Sequence, residues 1–156
     1  LSGVRDSKQL TPRRREKLAP CIREVALAWG IGFASAVEID ELGIVPATRL
    51  AANRALEAMP ILPDFLLTDF RLELPELDLP QAALVKGDQG SLSIASASIL
   101  AKTARDALMI EQDVRFPQYG FAHHKGYGSL AHRMAIAKFG FSPSHRKTFH
   151  IKSGNI

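Results

Sequence analysis

Cysteine is almost absent from this sequence, with Cys21 standing alone. A lone thiol cannot close an internal disulfide or complete a zinc knuckle, so a reducing compartment is expected. Long apolar runs are absent too: none nears the ~18 residues that a membrane span needs. The start of the chain lacks the make-up of a signal peptide. Together these point to a cytoplasmic protein with no membrane partner. No Walker-type glycine loop, nucleophile elbow or Cys–His arrangement is present, which sets aside the chemistries those motifs serve. Acids are the scarcer charge, 16 against 20 Lys and Arg, and a net charge of +4 is a modest hint of a polyanionic partner.

What is present is a 156-residue chain, 46% hydrophobic and 23% charged, enough for one domain with a real core and too apolar for disorder. Positive charge gathers towards both ends, in Arg13-Arg14-Arg15 and in Lys125, Arg146-Lys147 and Lys152. The first residue is Leu1, which reads as a fragment of a longer chain. Helical and strand patterns alternate, so α/β is the expected class.

Thr11 and Pro12 predict a helix start, a capping hydroxyl followed by a proline at the first helical position. Leu18, Ile22, Val25 and Ala26 make its apolar stripe, and Pro20 should kink it. Residues 28–34 read as a strand weakened by its glycines, and 38–44 as a short helical turn. Pro46 opens another helix, with Ala47, Leu50, Ala51, Ala55, Ala58 and Met59 inward and Pro60 and Pro63 ending it. The leucines of the acidic stretch 70–81 are expected to tuck onto the body. The longest element is a helix over 92–114 with Ala97, Leu100, Ala101, Ala104 and Leu108 buried. Residues 116–128, with glycines, aromatics, two histidines and a lysine, read as a contact surface and a poor core. A last helix over 130–139 precedes the basic tail.

The chemistry concentrates at two strand ends. The apolar run 82–85 reads as a buried strand, and the glycines around Asp88 mark the turn that ends it. Asp88 then stands where open α/β sheets place chemistry, with Lys86 two residues before it on the same strand face. A second run, Phe65-Leu66-Leu67-Thr68, delivers Asp69 in the same way. Two carboxylates at two strand ends suit a divalent cation; each alone also reads as a turn residue making its own hydrogen bonds. Asp106 pairs with Lys102 at helical spacing, a solvated or structural pair.

His123, His124 and His132 lack the spacing of a zinc site and read as surface or hydrogen-bonding residues. Tyr127, between Gly126 and Gly128 and beside Lys125, can stack on a sugar or base while the lysine meets phosphate; it reads equally as a tyrosine packed in a turn. Ser144-His145-Arg146-Lys147 reads as a nucleic-acid contact or as a solvated end.

Seven stretches together resemble ribonuclease HII, the type 2 bacterial ribonuclease H. They are Asp6-Ser7-Lys8-Gln9-Leu10, Trp29-Gly30-Ile31-Gly32, Thr68-Asp69, Val85-Lys86-Gly87-Asp88, Ala97-Ser98-Ile99-Leu100-Ala101-Lys102 with Arg105-Asp106, His124-Lys125-Gly126-Tyr127-Gly128 and His145-Arg146-Lys147-Thr148-Phe149. They run in the family's order over nearly the whole chain. The resemblance implies an RNase H-like α/β fold, a mixed sheet flanked by helices. It implies a single domain over 1–156, of which about 115–156 is a helical, substrate-contacting extension. It also implies a monomeric endonuclease of DNA replication and repair that cuts RNA in RNA–DNA hybrids and at ribonucleotides embedded in duplex DNA. The products would carry 3′-hydroxyl and 5′-phosphate ends. Mg²⁺ or Mn²⁺ would be held by Asp69 and Asp88, two of the family's four acids. Tyr127 would read the RNA–DNA junction, with Lys8, Lys86, Lys125 and Arg146 contacting the nucleic acid.

Two departures stand out. The family's first strand, with its adjacent Asp-Glu pair and Gly-Arg-Gly loop, has no counterpart before Asp6, so this stretch alone is expected to be inactive where its parent is active. Phe70 follows Asp69 where many relatives have glycine. The alternatives are a non-catalytic nucleic-acid-binding module and a purely structural α/β domain.

Overall fold

A computed structural model of the chain describes residues 3–4, 7–70 and 72–148; the side chain of Lys8 lies outside the described residues, as do Asp6, Phe149 and Lys152. The chain falls into two compact units, Leu1–Phe33 with Thr48–Ala104, and Ala34–Ala47 with Arg105–Ile156.

In the first unit a 3-10 turn, Ser7–Gln9, leads into α1, Pro12–Val25. Pro12 opens the helix as expected, but Thr11 makes no side-chain cap; its carbonyl accepts from the Arg14 and Arg15 amides at 3.0 and 3.1 Å. The helix runs through Pro20; of the expected stripe Ile22 is buried and Leu18 packs against the core, Val25 is exposed, and Arg15 and Ala19 complete the buried face. Arg15 is therefore not part of a solvated basic run. Its guanidinium donates to the carbonyls of Ser7 (3.1 Å) and Leu10 (2.7 Å), tying the preceding turn to the helix. Ser7 Oγ also lies 2.7 Å from Ser98 Oγ.

Residues 28–34 form no strand among the described residues. A strand needs a neighbour, and this segment packs on a helix instead. A methyl on Gly30 would stand 2.0 Å from the Ala55 carbonyl oxygen, and one on Gly32 would stand 2.0 Å from that of Ala51. Arg54 Nη1 then supplies the Phe33 carbonyl with the donor a sheet would have given, at 2.8 Å. Ala51, Arg54 and Ala55 belong to α3, Ile44–Glu57, which starts two residues ahead of Pro46.

The sheet among the described residues has two parallel strands, β1 (Leu66–Asp69) and β2 (Gln81–Leu84), with Leu66 opposite Gln81 and Asp69 opposite Leu84. The connection is ordered from within. Gln81 accepts from the Leu74 amide (2.8 Å) and donates back to its carbonyl (3.0 Å), which seats Leu74 in the interior as expected. A short turn, α4 (Gly87–Gly90), and then the long α5 (Leu92–Arg115) follow. The buried face of α5 carries Ile94, Ala95, Ile99, Leu100 and Asp106, while Ala97 and Ala101 are exposed. The branched aliphatics have more apolar area to remove from water than the alanines, so they take the interior. Leu10, Ala19, Ile22, Ile99 and Leu100 make the core of this unit, each large aliphatic contributing about 1.5–3 kcal/mol. Asp106 is buried, not solvated.

The second unit begins with α2, Ala36–Leu42, opened by a capping box in which Ser35 and Glu38 satisfy each other's amides. A 3-10 turn at Pro117–Tyr119, α6 (Phe121–His124) and α7 (Leu130–Phe139) complete it. Residues 116–128 are not a poor core. Tyr119 and Phe121 are buried with His132, Ser142 and His145, and the rings pack at centroid distances from 4.8 to 5.6 Å.

Candidate active site

β1 ends at Asp69 because the next residue turns the chain back: Phe70 takes φ +59°, the left-handed region that glycine enters without cost. The Phe70 amide is thereby aimed at the Leu84 carbonyl (2.8 Å) and at Asp69 Oδ1 (3.0 Å). β2 ends two residues before Lys86, which is itself left-handed at φ +56°. Lys86 and Asp88 therefore do not share a strand face: Lys86 is an exposed turn residue, and Asp88 sits in the first turn of α4.

Gly87 is the hinge of this site. A methyl there would stand 2.5 Å from Ile94 Cδ1 and 3.2 Å from Leu84 Cβ. Its amide donates to Asp69 Oδ1 at 2.9 Å, so the carboxylate of one strand end is held against the residue that precedes Asp88. Oδ1 takes both amides, and Asp69 Oδ2 has no partner among the described residues. Asp88 is 5% exposed. Asp69 and Asp88 supply hard oxygen donors of the kind a divalent cation takes. Among the described residues no three His, Cys, Asp or Glu side chains are grouped for a metal; Mg²⁺ commonly takes one or two carboxylates and completes its shell with water and phosphate oxygens.

In the second unit Tyr127 is 57% exposed, and its loop is firmly built. Its amide donates to the His124 carbonyl (2.9 Å), its carbonyl accepts from Ser129 (2.8 Å), and Gly126 turns at φ +78°. The Arg105 guanidinium lies 5.0 Å from the Tyr127 ring centroid. Lys125, left-handed at φ +51°, spends one ammonium proton on the Ala122 carbonyl at 2.6 Å and keeps two more for a ligand. Arg146 is half-buried. The segment after it is clamped by Asp40 of α2, which accepts from the Lys147 amide at 2.7 Å and the Thr148 amide at 3.0 Å. The Thr148 hydroxyl and then these amides hold the Asp40 carboxyl below the usual range. His124 and His132 are hydrogen-bonding residues and His123 is a surface residue, as expected. The parts that Arg105, His132 and His145 play around Tyr127 had no signal in the sequence: Arg105 and His145 lie 22 and 18 residues from it, and the bond from His132 five residues on depends on the fold of the loop between them.

An acid at the end of one parallel strand, bonded to the turn that follows its neighbour and carries Asp88, has the layout of an α/β fold whose strand ends bear its chemistry. The sequence profile described as Ribonuclease HII matches residues 1–152. Ribonuclease HII of Syntrophotalea carbinolica is 55% identical over 149 residues, covering 96% of this chain and 71% of that protein. Ribonuclease HII of Chloroflexus aurantiacus is 54% identical over 149 residues, covering 96% and 70%. The crystal structure of the ribonuclease H2 from Pyrococcus horikoshii OT3 resembles the fold at a TM-score of 0.74, with 25% identity, over 94% of this chain and 77% of that one. The chain belongs to the ribonuclease HII family, hydrolases of the endonuclease type that depend on a divalent metal. Membership in an enzyme family favours the catalytic reading over a non-catalytic module or a structural domain. No helix among the described residues is long and apolar enough to cross a membrane.

Proposed function

We propose that this chain carries the catalytic strand ends of an endoribonuclease that hydrolyses RNA in RNA–DNA hybrids and at single ribonucleotides embedded in duplex DNA. The observation that carries the reading is the Gly87 amide on Asp69 Oδ1, which draws the two strand ends together. Asp69 and Asp88 would hold Mg²⁺ or Mn²⁺. The bound metal would activate water and offset charge on the departing 3′ oxygen. Water attacks phosphorus, the bond to the 3′ oxygen breaks, and that oxygen gains a proton, leaving 3′-hydroxyl and 5′-phosphate ends.

The remaining residues bind and orient the duplex. Lys86, exposed at the turn before Asp88, meets a backbone phosphate, and Lys8 meets another. Tyr127 lays its exposed ring on the ribose where RNA meets DNA and senses the 2′-hydroxyl. Lys125 and Arg146 contact phosphate from the same unit. Residues from about 115 onward serve as the substrate-contacting extension, and the protein works as a monomer in the cytoplasm. The test is Asp69→Asn in the full-length enzyme against a duplex with one embedded ribonucleotide. Cleavage should fall on the order of 10²-fold or more with folding intact; turnover at the parent's rate would end the assignment of Asp69.

A further inference from the structure

The second unit buries two histidines that the proposed chemistry does not use, and their hydrogen bonds permit one proton arrangement. His145 Nδ1 accepts from the Ser142 amide at 2.9 Å and lies 2.7 Å from the Ser142 hydroxyl. A ring nitrogen that accepts an amide proton carries none of its own, so the proton of neutral His145 is on Nε2. That Nε2 is 2.9 Å from His132 Nε2. His132 Nδ1 is 2.9 Å from the Tyr127 carbonyl, which can only accept. His132 therefore donates from Nδ1 and accepts at Nε2. The line runs Ser142 to His145 to His132 to Tyr127.

We infer that His132 and His145 are positioning residues: this relay fixes the Tyr127 loop for the nucleic acid, and it holds only while both rings are neutral. The inference rests on Tyr127 being a substrate contact. A second proton on His132 would set two N–H groups against each other across the 2.9 Å gap, and one on His145 would oppose the Ser142 amide. The groups facing the pair do not rescue the cation. His124 stacks on His132 at 4.2 Å, already engaged through Nε2 with the Tyr119 carbonyl at 2.8 Å. The Tyr119 ring is 4.8 Å from His145 and its hydroxyl donates to the Gly140 carbonyl at 2.9 Å. Asp40 and Glu41 line the cavity that His145 borders, but Lys147 lines it too, and Asp40 is engaged by the Lys147 and Thr148 amides. Burial, acting on both rings, lowers both below the ordinary histidine value.

The experiment measures KM and kcat of the full-length enzyme on a duplex with one embedded ribonucleotide, for His145→Phe, His145→Gln, Tyr127→Ala and the parent. His145→Phe removes the donor to His132 and should raise KM about five- to tenfold, as loss of one buried hydrogen bond does, with kcat little changed. His145→Gln restores a donor near the Nε2 position and should recover most of the loss. The parent's KM should climb as pH falls below the ordinary histidine value, a limb that Tyr127→Ala lacks because its contact is already gone. A folded His145→Phe enzyme with parental KM, beside a Tyr127→Ala enzyme with raised KM, overturns the relay alone. Parental KM in Tyr127→Ala removes the tyrosine reading and the relay with it. If His145→Phe does not fold, nitrogen-15 spectra of the parent's imidazoles decide: protons on His132 Nδ1 and His145 Nε2 at neutral pH support the relay, and any other tautomer pair overturns it.

Discussion

Gly87→Ala separates the geometry of the acid pair from the stability of the fold. The new methyl would stand 2.5 Å from Ile94 Cδ1 and 3.2 Å from Leu84 Cβ. Carbon atoms rest at about 3.5–4.0 Å, so the Ile94 methyl must withdraw by roughly 1 Å or the turn must lift by as much. Ile94 is buried and cannot swing into solvent, and Leu84 Cβ moves only with β2. Overpacking of this kind costs about 1–3 kcal/mol, and the reduced freedom of the unfolded chain returns about 0.4–1 kcal/mol. The net loss is about 1–2 kcal/mol, which leaves nearly all molecules folded in a protein of ordinary stability. The Gly87 amide that anchors Asp69 at 2.9 Å moves with the turn, and a displacement of about 1 Å at a catalytic group can cost ~10²-fold in rate. Urea denaturation gives the stability, and cleavage of a single-ribonucleotide duplex gives the rate. Full activity in a variant destabilised by the expected amount would show that this turn does not set the position of Asp69. That result would remove the observation on which the functional reading stands.

Phe70→Gly should be neutral to about 1 kcal/mol stabilising, because relief of the left-handed strain at φ +59° slightly outweighs the entropy glycine gains on unfolding. A loss above about 1 kcal/mol in the same denaturation assay would mean that the exposed Phe70 ring makes contacts worth more than the strain. Gly32→Ala should cost about 3 kcal/mol, since its methyl would meet the Ala51 carbonyl oxygen at 2.0 Å and no side-chain rotation relieves a backbone contact. Gly90→Ala, with nothing within 4 Å of the new methyl, is the matched control, and equal midpoints for the two would refute the packing. The fold should lose stability in mild acid. Burial lowers His132 and His145 below their ordinary value, and the charge of His124 on His132, and of His132 and His124 on His145, lowers them further. The unfolded chain thus binds protons near pH 6.5 that the folded chain refuses, so stability is full above that pH. It drains away as pH falls, at up to about 1.4 kcal/mol per pH unit for each ring. An unchanged or higher urea midpoint near pH 5 would contradict the neutral pair.

How much of this could be read from the sequence depends on how local each cause is. Asp69 was legible as the end of a strand because its apolar run adjoins it in the chain, and α7 because its cap Ser129 and its stop Gly140 adjoin it, whereas Asp88 falls in the turn after β2 and not at its end. Residues 28–34 misled because β-pattern reports a segment able to pair, whereas the glycines there serve a close contact with α3. Lys86 misled because the left-handed turn that removes it from the strand is decided at its own residue, where no side-chain pattern reports φ. The second unit shows the limit most clearly. Histidine, serine and glycine between 116 and 145 look like surface, since each polar atom in isolation is costly to bury. His132, Ser142 and His145 become interior because they and the Tyr127 carbonyl satisfy one another in series, and removing any one member leaves the next unpaired. A cluster of this kind is bought as a whole or not at all, so composition taken residue by residue misjudges it. The same all-or-none coupling makes Tyr127, the most exposed member of its loop's hydrogen-bond chain, sensitive to a proton two rings away.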